Sequence, residues 1–276
     1  MDRHDLYELC VQSPRTLAAF LHAVHGAEPL VLREDFCGTA ALSRRWIADG
    51  LKRGERRRAV AVDLDPEVLG RAAREAAAAG IADRLTLIQA DATDTDERHS
   101  GTDENLPAPD IVFVGNFSIG YIHTRAALLR YLRASRARLA AGNAGWGGGV
   151  FVCDTYGGAG AFRLGSLERT HIGRRGEVVK YLWRHVAADP LTGIVEAAIS
   201  FRVIEAGEVT LDLPDAFTYR WRLWSIAELR EAMVEAGFAS TEVYTKVDVA
   251  PGEAPEPVTG PEELGEDWIV CVVGRM

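Results

Sequence analysis

Apolar and polar positions change period along the chain, and the changes outline its elements. Leu6, Leu9, Cys10, Leu17, Phe20, Leu21 and Val24 recur at helical spacing over residues 5–25, with Ser13-Pro14 as a helix start where the stripe breaks. Five apolar runs follow, at 29–32, 58–62, 85–90, 111–114 and 150–153, each short enough for a buried strand. Helical patterns separate most of them: Leu42, Trp46 and Ile47 after the first, 66–79 after the second and 124–139 after the fourth. Residues 93–109 read as a polar exposed loop and 142–149 as a glycine-rich turn. Strand–helix alternation of this kind predicts an α/β fold with a parallel sheet.

Beyond the fifth run the period becomes two. Residues 178–186, 194–204, 209–213 and 219–224 read as strands joined by short turns, an antiparallel ribbon. A helix over 225–236 carries a capping box, Ser225 with Glu228, and Gly237 suits its C-terminal end. A strand at 241–247, a Pro/Glu-rich connection at 251–267 and a last strand at 268–274 complete the chain. No linker divides it. The expectation is one domain over 1–276 with an antiparallel cap inserted at 155–224.

Composition narrows the function. The 276 residues are 47% apolar and 26% charged, ordinary for a globular protein. The net charge of −9 repels polyanions and argues against a nucleic-acid partner. Cys10, Cys37, Cys153 and Cys271 are scattered without metal-binding spacing, so no metal is expected and reduced thiols are. No apolar run reaches the roughly 18 residues of a membrane span, and Asp2, Arg3, His4 and Asp5 do not form a signal pattern. The expected location is cytoplasmic.

The most informative stretch is Val31-Leu32-Arg33-Glu34-Asp35-Phe36-Cys37-Gly38-Thr39-Ala40: strand, small-residue turn, then helix. A nucleotide-like ligand binds at such a strand's carboxyl end. It is not the dinucleotide fingerprint, because Phe36 and Ala40 stand where glycines would be and the acids repel phosphates. The second strand ends in Asp63, followed by Leu64; a carboxylate there suits a ribose diol, with a helix N-cap as its other role. The third ends in Asp91-Ala92, and the fourth exits through Gly115-Asn116-Phe117-Ser118.

This set resembles the class I S-adenosylmethionine-dependent methyltransferases over nearly the whole chain. Cys37-Gly38-Thr39 match the family's first motif; Phe36 and Ala40 depart from it. The resemblance implies a Rossmann-like, seven-stranded sheet of order 3-2-1-4-5-7-6 with the seventh strand antiparallel. It implies S-adenosylmethionine as cofactor, with S-adenosylhomocysteine as product. Carried over residue by residue, the cofactor would meet Tyr7 in the leading segment, then Glu34, Phe36, Cys37, Gly38 and Thr39, then Asp63 and Leu64, Asp91 and Ala92, and Asn116 and Phe117. Asp91 would face the adenine amine. Gly115-Asn116-Phe117-Ser118 and the cap are similar to the glycine N-methyltransferase-like branch, which implies a small-molecule acceptor.

Methyl transfer needs alignment and exclusion of water more than a dedicated base. Asn116, Tyr121 and Tyr156 are the candidate catalytic residues, with His123, His185 and Asp154 as other possible bases. Tyr181 and Trp183, on one face of a cap strand with His185, are candidate substrate-wall residues. Arg222, with Arg220, is a candidate for a substrate carboxylate. The expected partner is a small molecule, without a membrane, acting on a monomer or homodimer. A protein or RNA acceptor is the alternative.

Overall fold

The computed structural model describes residues 1–94, 107–142, 147–250 and 253–276. The expected loops at 93–109, 142–149 and 251–267 therefore lie partly outside the described residues. The chain starts with α1 (Arg3–Cys10) and α2 (Pro14–His25). The helix expected over 5–25 is two, because Pro14 begins α2 and Asp2 caps α1 in its own capping box with Asp5. Then come β1 (Val31–Asp35), α3 (Ala41–Arg53), β2 (Arg58–Asp63), α4 (Pro66–Ala78), β3 (Leu85–Gln89), β4 (Ile111–Val114), α5 (Arg125–Arg138) and β5 (Val150–Gly158). Four strands follow: β6 (Gly165–Ile172), β7 (Val178–Asp189), β8 (Ile194–Glu205) and β9 (Glu208–Arg222). The chain closes with α6 (Ile226–Glu235), β10 (Ser240–Tyr244) and β11 (Asp267–Arg275).

The main sheet has the order β3-β2-β1-β4-β5-β11-β10, and β11 runs antiparallel to both neighbours. With the four cap strands set aside this is 3-2-1-4-5-7-6, as the resemblance implies. Asp35 lies opposite Val62 of β2 and Val114 of β4, so the carboxyl ends of these strands share one edge. One apolar layer, with Phe20, Trp46 and Phe113, covers one side of the sheet. The other holds Tyr131, Phe151 and Trp224. Trp224 is fixed by its indole N–H donating to the Ile122 carbonyl at 3.0 Å. Among the described residues no helix is long and apolar enough to cross a membrane.

The second sheet, β6-β7-β8-β9, is antiparallel throughout. The strands expected at 209–213 and 219–224 are one strand, β9. Pro214 and Asp215 lie in the gap between the two expected strands. Here they form an irregularity, Asp215 at φ 47°, where the Ser200 hydroxyl accepts the Asp215 N–H. Residues 155–158 belong to β5, and β6 was not expected at all. The third strand stops at Gln89, which leaves Asp91 in the following turn.

This sheet does not pack on itself. Its apolar face, with Val179, Tyr181, Phe201 and Val203, closes over Leu6 and Cys10 of α1. Helix α1 is tied to the main sheet's helices by charge. Arg71 of α4 holds Asp2 (2.7 Å), Asp5 (2.5 Å) and Glu75, and Arg44 of α3 holds Glu8 (3.1 Å) and Glu75. Leu6 is fully buried in this small core. Leu6→Ala should cost about 2–4 kcal/mol. Hydrogen exchange should show β7 to β9 losing protection while β1 and β4 keep theirs; uniform loss would mean that α1 does not serve the cap.

Candidate active site

Where the carboxyl ends of β1, β2 and β4 meet, a cavity of about 560 Å³ opens under α1 and β9. Its floor is the turn after β1. Phe36 (φ 59°), Gly38 (φ 53°) and Ala40 (φ 54°) are all left-handed. The two positions that lack the expected glycines thus keep glycine's conformation, at a cost of order 1–3 kcal/mol each. Asp63 locks this turn. Its Oδ2 accepts the Gly38 N–H at 2.7 Å and its Oδ1 the Asp65 N–H at 3.0 Å. The N-cap of α4 is Asp65, not Asp63. An ionised carboxylate has about four acceptor positions, so Asp63 retains two for a ligand.

Of the expected cofactor residues, Tyr7, Phe36, Cys37, Gly38, Thr39, Asp63, Leu64, Asp91, Ala92 and Asn116 all line the cavity. Glu34 does not. It is buried behind the turn, where its Oε2 accepts from the Ser43 N–H at 2.9 Å and the Ser43 hydroxyl at 2.5 Å, anchoring α3. Phe117 also stands outside the lining. Asp91 is exposed at the rim, its Oδ1 taken by the Thr93 N–H and hydroxyl. Burial pushes the Cys37 thiol up, so it stays neutral.

Residues 116 and 117 form a second strained turn, at φ 54° and 62°. Asp154 of β5 holds it. One oxygen accepts the Asn116 N–H at 2.9 Å and the other the Phe117 N–H at 2.6 Å. Burial pushes this carboxyl up to about 7 against the pull of those two donors. Asp154, considered as a base, is therefore a clamp.

The roof is aromatic. Trp221 of β9 is 2% exposed and contacts Phe117 (5.8 Å between centroids), Tyr121 (6.0 Å), Tyr156 (6.5 Å), Trp183 (5.9 Å) and Tyr219 (4.3 Å). A Cβ on Gly120 would lie 2.7 Å from the Trp221 Cβ, so only glycine lets the roof come this close. Tyr121 lines the cavity and stacks on Phe36. Tyr219 and Phe217, missing from the expected set, line it from β9, and Tyr219 is hydrogen-bonded to Tyr7. Sequence alternation placed Tyr219 beside Trp221 but could not say what that face covers.

The expected substrate residues are less central. Trp183 stacks on Tyr219 and Trp221 from behind the lining. Tyr181 packs in the cap core. Arg222 lies over Trp224 at 3.8 Å, bonds the His123 carbonyl and Glu228, and borders a second cavity of about 360 Å³. His123 pairs with the Arg220 carbonyl at 2.9 Å on the exposed side. Tyr156 borders the second cavity, its hydroxyl 3.2 Å from His185 Nε2. At the sheet's opposite edge, His22, Glu28 and Glu55 bring ligand atoms within 4.8 Å, but Glu55 already holds Arg57.

Burial holds the Glu34 carboxyl up at about 7, against the Ser43 bonds. In the unfolded chain it ionises near the ordinary value of about 4.3. The folded chain therefore keeps a proton that the unfolded chain loses between these values, and stability falls as pH rises through that window. Glu34→Gln retains an oxygen for Ser43 and has no proton to lose. Its advantage over wild type should grow by roughly 3 kcal/mol from about pH 5 to about pH 8, read by urea unfolding. Parallel pH profiles would contradict it.

No protein-family model matches this chain, and neither does any curated protein. Solved structures do. An S-adenosylmethionine-dependent methyltransferase from Clostridium acetobutylicum superposes with a TM-score of 0.65 at 16% identity, covering 99% of this chain and 97% of the other. The sugar N-methyltransferase KedS8 from a Streptoalloteichus species gives 0.63 at 20% identity, covering 100% and 92%. CalS10, an amino pentose methyltransferase from Micromonospora echinaspora solved with S-adenosylmethionine bound, gives 0.64 at 15% identity, covering 99% and 96%. At these identities the likeness shows the fold: the chain has the Rossmann-like architecture of the class I methyltransferases.

Proposed function

We propose that this protein is an S-adenosylmethionine-dependent methyltransferase that methylates a nitrogen of a small molecule of the amino-sugar kind. The observation that carries the reading is the acidic cavity at the meeting point of β1, β2 and β4, roofed by α1 and β9. Its lining includes Asp63, Asp65 and Asp91. Three carboxylates oppose a pyrophosphate and favour a cofactor that carries a sulfonium and an ammonium. Its volume suits one such ligand.

Asp63 would hold the ribose diol, Leu64 and Ala92 the adenine faces, and Asp91 the exocyclic amine. Gly38 and Thr39 would border the amino-acid end. Bound there, S-adenosylmethionine supplies an electrophilic methyl group. The residues of this chain bind, orient and exclude water. Asp154 fixes Asn116 at the cavity wall, and Tyr219 and Tyr121, packed on buried Trp221, cover part of the roof. Such a roof favours a small acceptor over a protein chain or RNA and offers ring faces to an amine. The nitrogen acceptor is favoured because KedS8 and CalS10, which are similar in fold, are described as a sugar N-methyltransferase and an amino pentose methyltransferase.

Calorimetry should show binding of S-adenosylmethionine and none of NAD. Asp63→Ala should weaken it about ten- to a hundredfold, the loss of a charge-assisted hydrogen bond. An unchanged dissociation constant would leave Asp63 only a turn-locking role. For the acceptor, amino-hexosides should release S-adenosylhomocysteine faster than their hydroxyl counterparts; transfer to protein alone would reverse the assignment.

A further inference from the structure

Four possible bases stand near the roof: Asp154, His123, His185 and Tyr156. Two are spent. Asp154 lies behind the turn it clamps, lining neither cavity, with each oxygen on a backbone N–H. His123 pairs with the Arg220 carbonyl through Nε2 and with the Arg220 guanidinium through Nδ1. The other two are joined. His185 Nδ1 lies 3.1 Å from the Arg163 carbonyl oxygen, and its Nε2 lies 3.2 Å from the Tyr156 hydroxyl. A carbonyl only accepts, so the ring proton sits on Nδ1 and Nε2 presents its lone pair. Tyr156 then donates to His185, and its oxygen keeps its own lone pairs.

This bridge spans the two sheets, since Tyr156 lies in β5 and His185 in β7. The Tyr156 ring packs on Phe117 at 4.8 Å, next in sequence to the cavity-wall residue Asn116. On its other side Tyr156 borders the second cavity, with Phe162 and Leu191. Tyr156 thus stands between that cavity and the wall of the first.

We infer that Tyr156 and His185 form a proton relay that deprotonates the methyl acceptor, with Arg163's carbonyl fixing the imidazole tautomer. The inference rests on the small-molecule reading above. The acceptor nitrogen's lone pair forms the bond to the methyl carbon, and the carbon–sulfur bond breaks with its electron pair remaining on sulfur. The acceptor's N–H proton passes to the Tyr156 oxygen as the Tyr156 proton passes to His185 Nε2. The resulting imidazolium keeps its Nδ1–H on the Arg163 carbonyl and releases the Nε2 proton to solvent, since His185 is only half-buried. Tyr156 touches the acceptor; His185 acts through it.

Two measurements test the relay. Nitrogen-edited NMR of the histidine rings should show the proton of the uncharged His185 tautomer on Nδ1, and Tyr156→Phe should shift the Nε2 resonance; an uncharged ring with its proton on Nε2 overturns the relay. In steady-state transfer to amino-hexosides, Tyr156→Phe and His185→Gln should each lower kcat roughly a hundredfold, with KM for S-adenosylmethionine unchanged. Gln still accepts the Tyr156 hydrogen bond but takes no proton, so full kcat in His185→Gln reduces the pair to a structural bridge and overturns the proposal. Added imidazole should restore His185→Gly, and failure to do so counts against the relay. Wild-type protein that releases no S-adenosylhomocysteine with any amino-hexoside refutes the small-molecule reading, and the relay's role falls with it. Loss confined to His185→Gln or its absence judges the relay alone.

Discussion

Asp154 connects most of what makes the site. Two consecutive non-glycine residues, Asn116 and Phe117, sit left-handed after β4, and each costs conformational energy. The carboxylate of a neighbouring strand offsets that cost by accepting both N–H groups. Asn116 thereby faces the cavity and Phe117 turns under the cap. Trp221, Tyr156 and Tyr121 pack around that point, so the wall of one cavity and the roof of the site share one anchor. A parallel sheet makes this possible, because β4 and β5 run side by side with Val114 opposite Cys153.

The main sheet was legible because its strands are continuous apolar runs that end in acids or in a small-residue turn. Asp63, Gly38 and Thr39 could be placed on the edge by counting from those ends. Glu34 could not. Every residue of β1 is buried, on both faces, so position along the strand did not tell whether its carboxylate faced the ligand or the helix behind. Ser43, nine residues on, decided it. Phe36 and Ala40 looked like departures from a glycine pattern. The chain keeps the backbone and accepts the strain, and no residue type advertises that.

The cap was legible in outline only. Its alternation showed which residues share a face, and Tyr219 and Trp221 do. It could not show that the face closes on α1, some two hundred residues earlier in the chain. Strand β6 has almost no buried residue and lies at the sheet's edge, so it carries no apolar period to read. The gap left between the two strands expected at 209–213 and 219–224 is an irregular strand position, where Asp215 takes a positive φ and the Ser200 hydroxyl stands in for a lost ladder bond.

Helix α1 is held in two different ways. Toward the cap it is held mainly by apolar packing of Leu6 and Cys10. Toward α3 and α4 it is fastened by Arg44 and Arg71, which divide four carboxylates between them. Charged pairs of this kind, partly wetted, are screened by salt, and apolar packing is not. Salt therefore weakens the hold of α1 on α3 and α4 more than its hold on the cap. Tyr7, on that helix, faces the cavity while its hydroxyl meets Tyr219 of the cap. A substitution that shifts α1 is therefore felt in the cavity wall and in the cap core at once, and the two surfaces can change only as a pair.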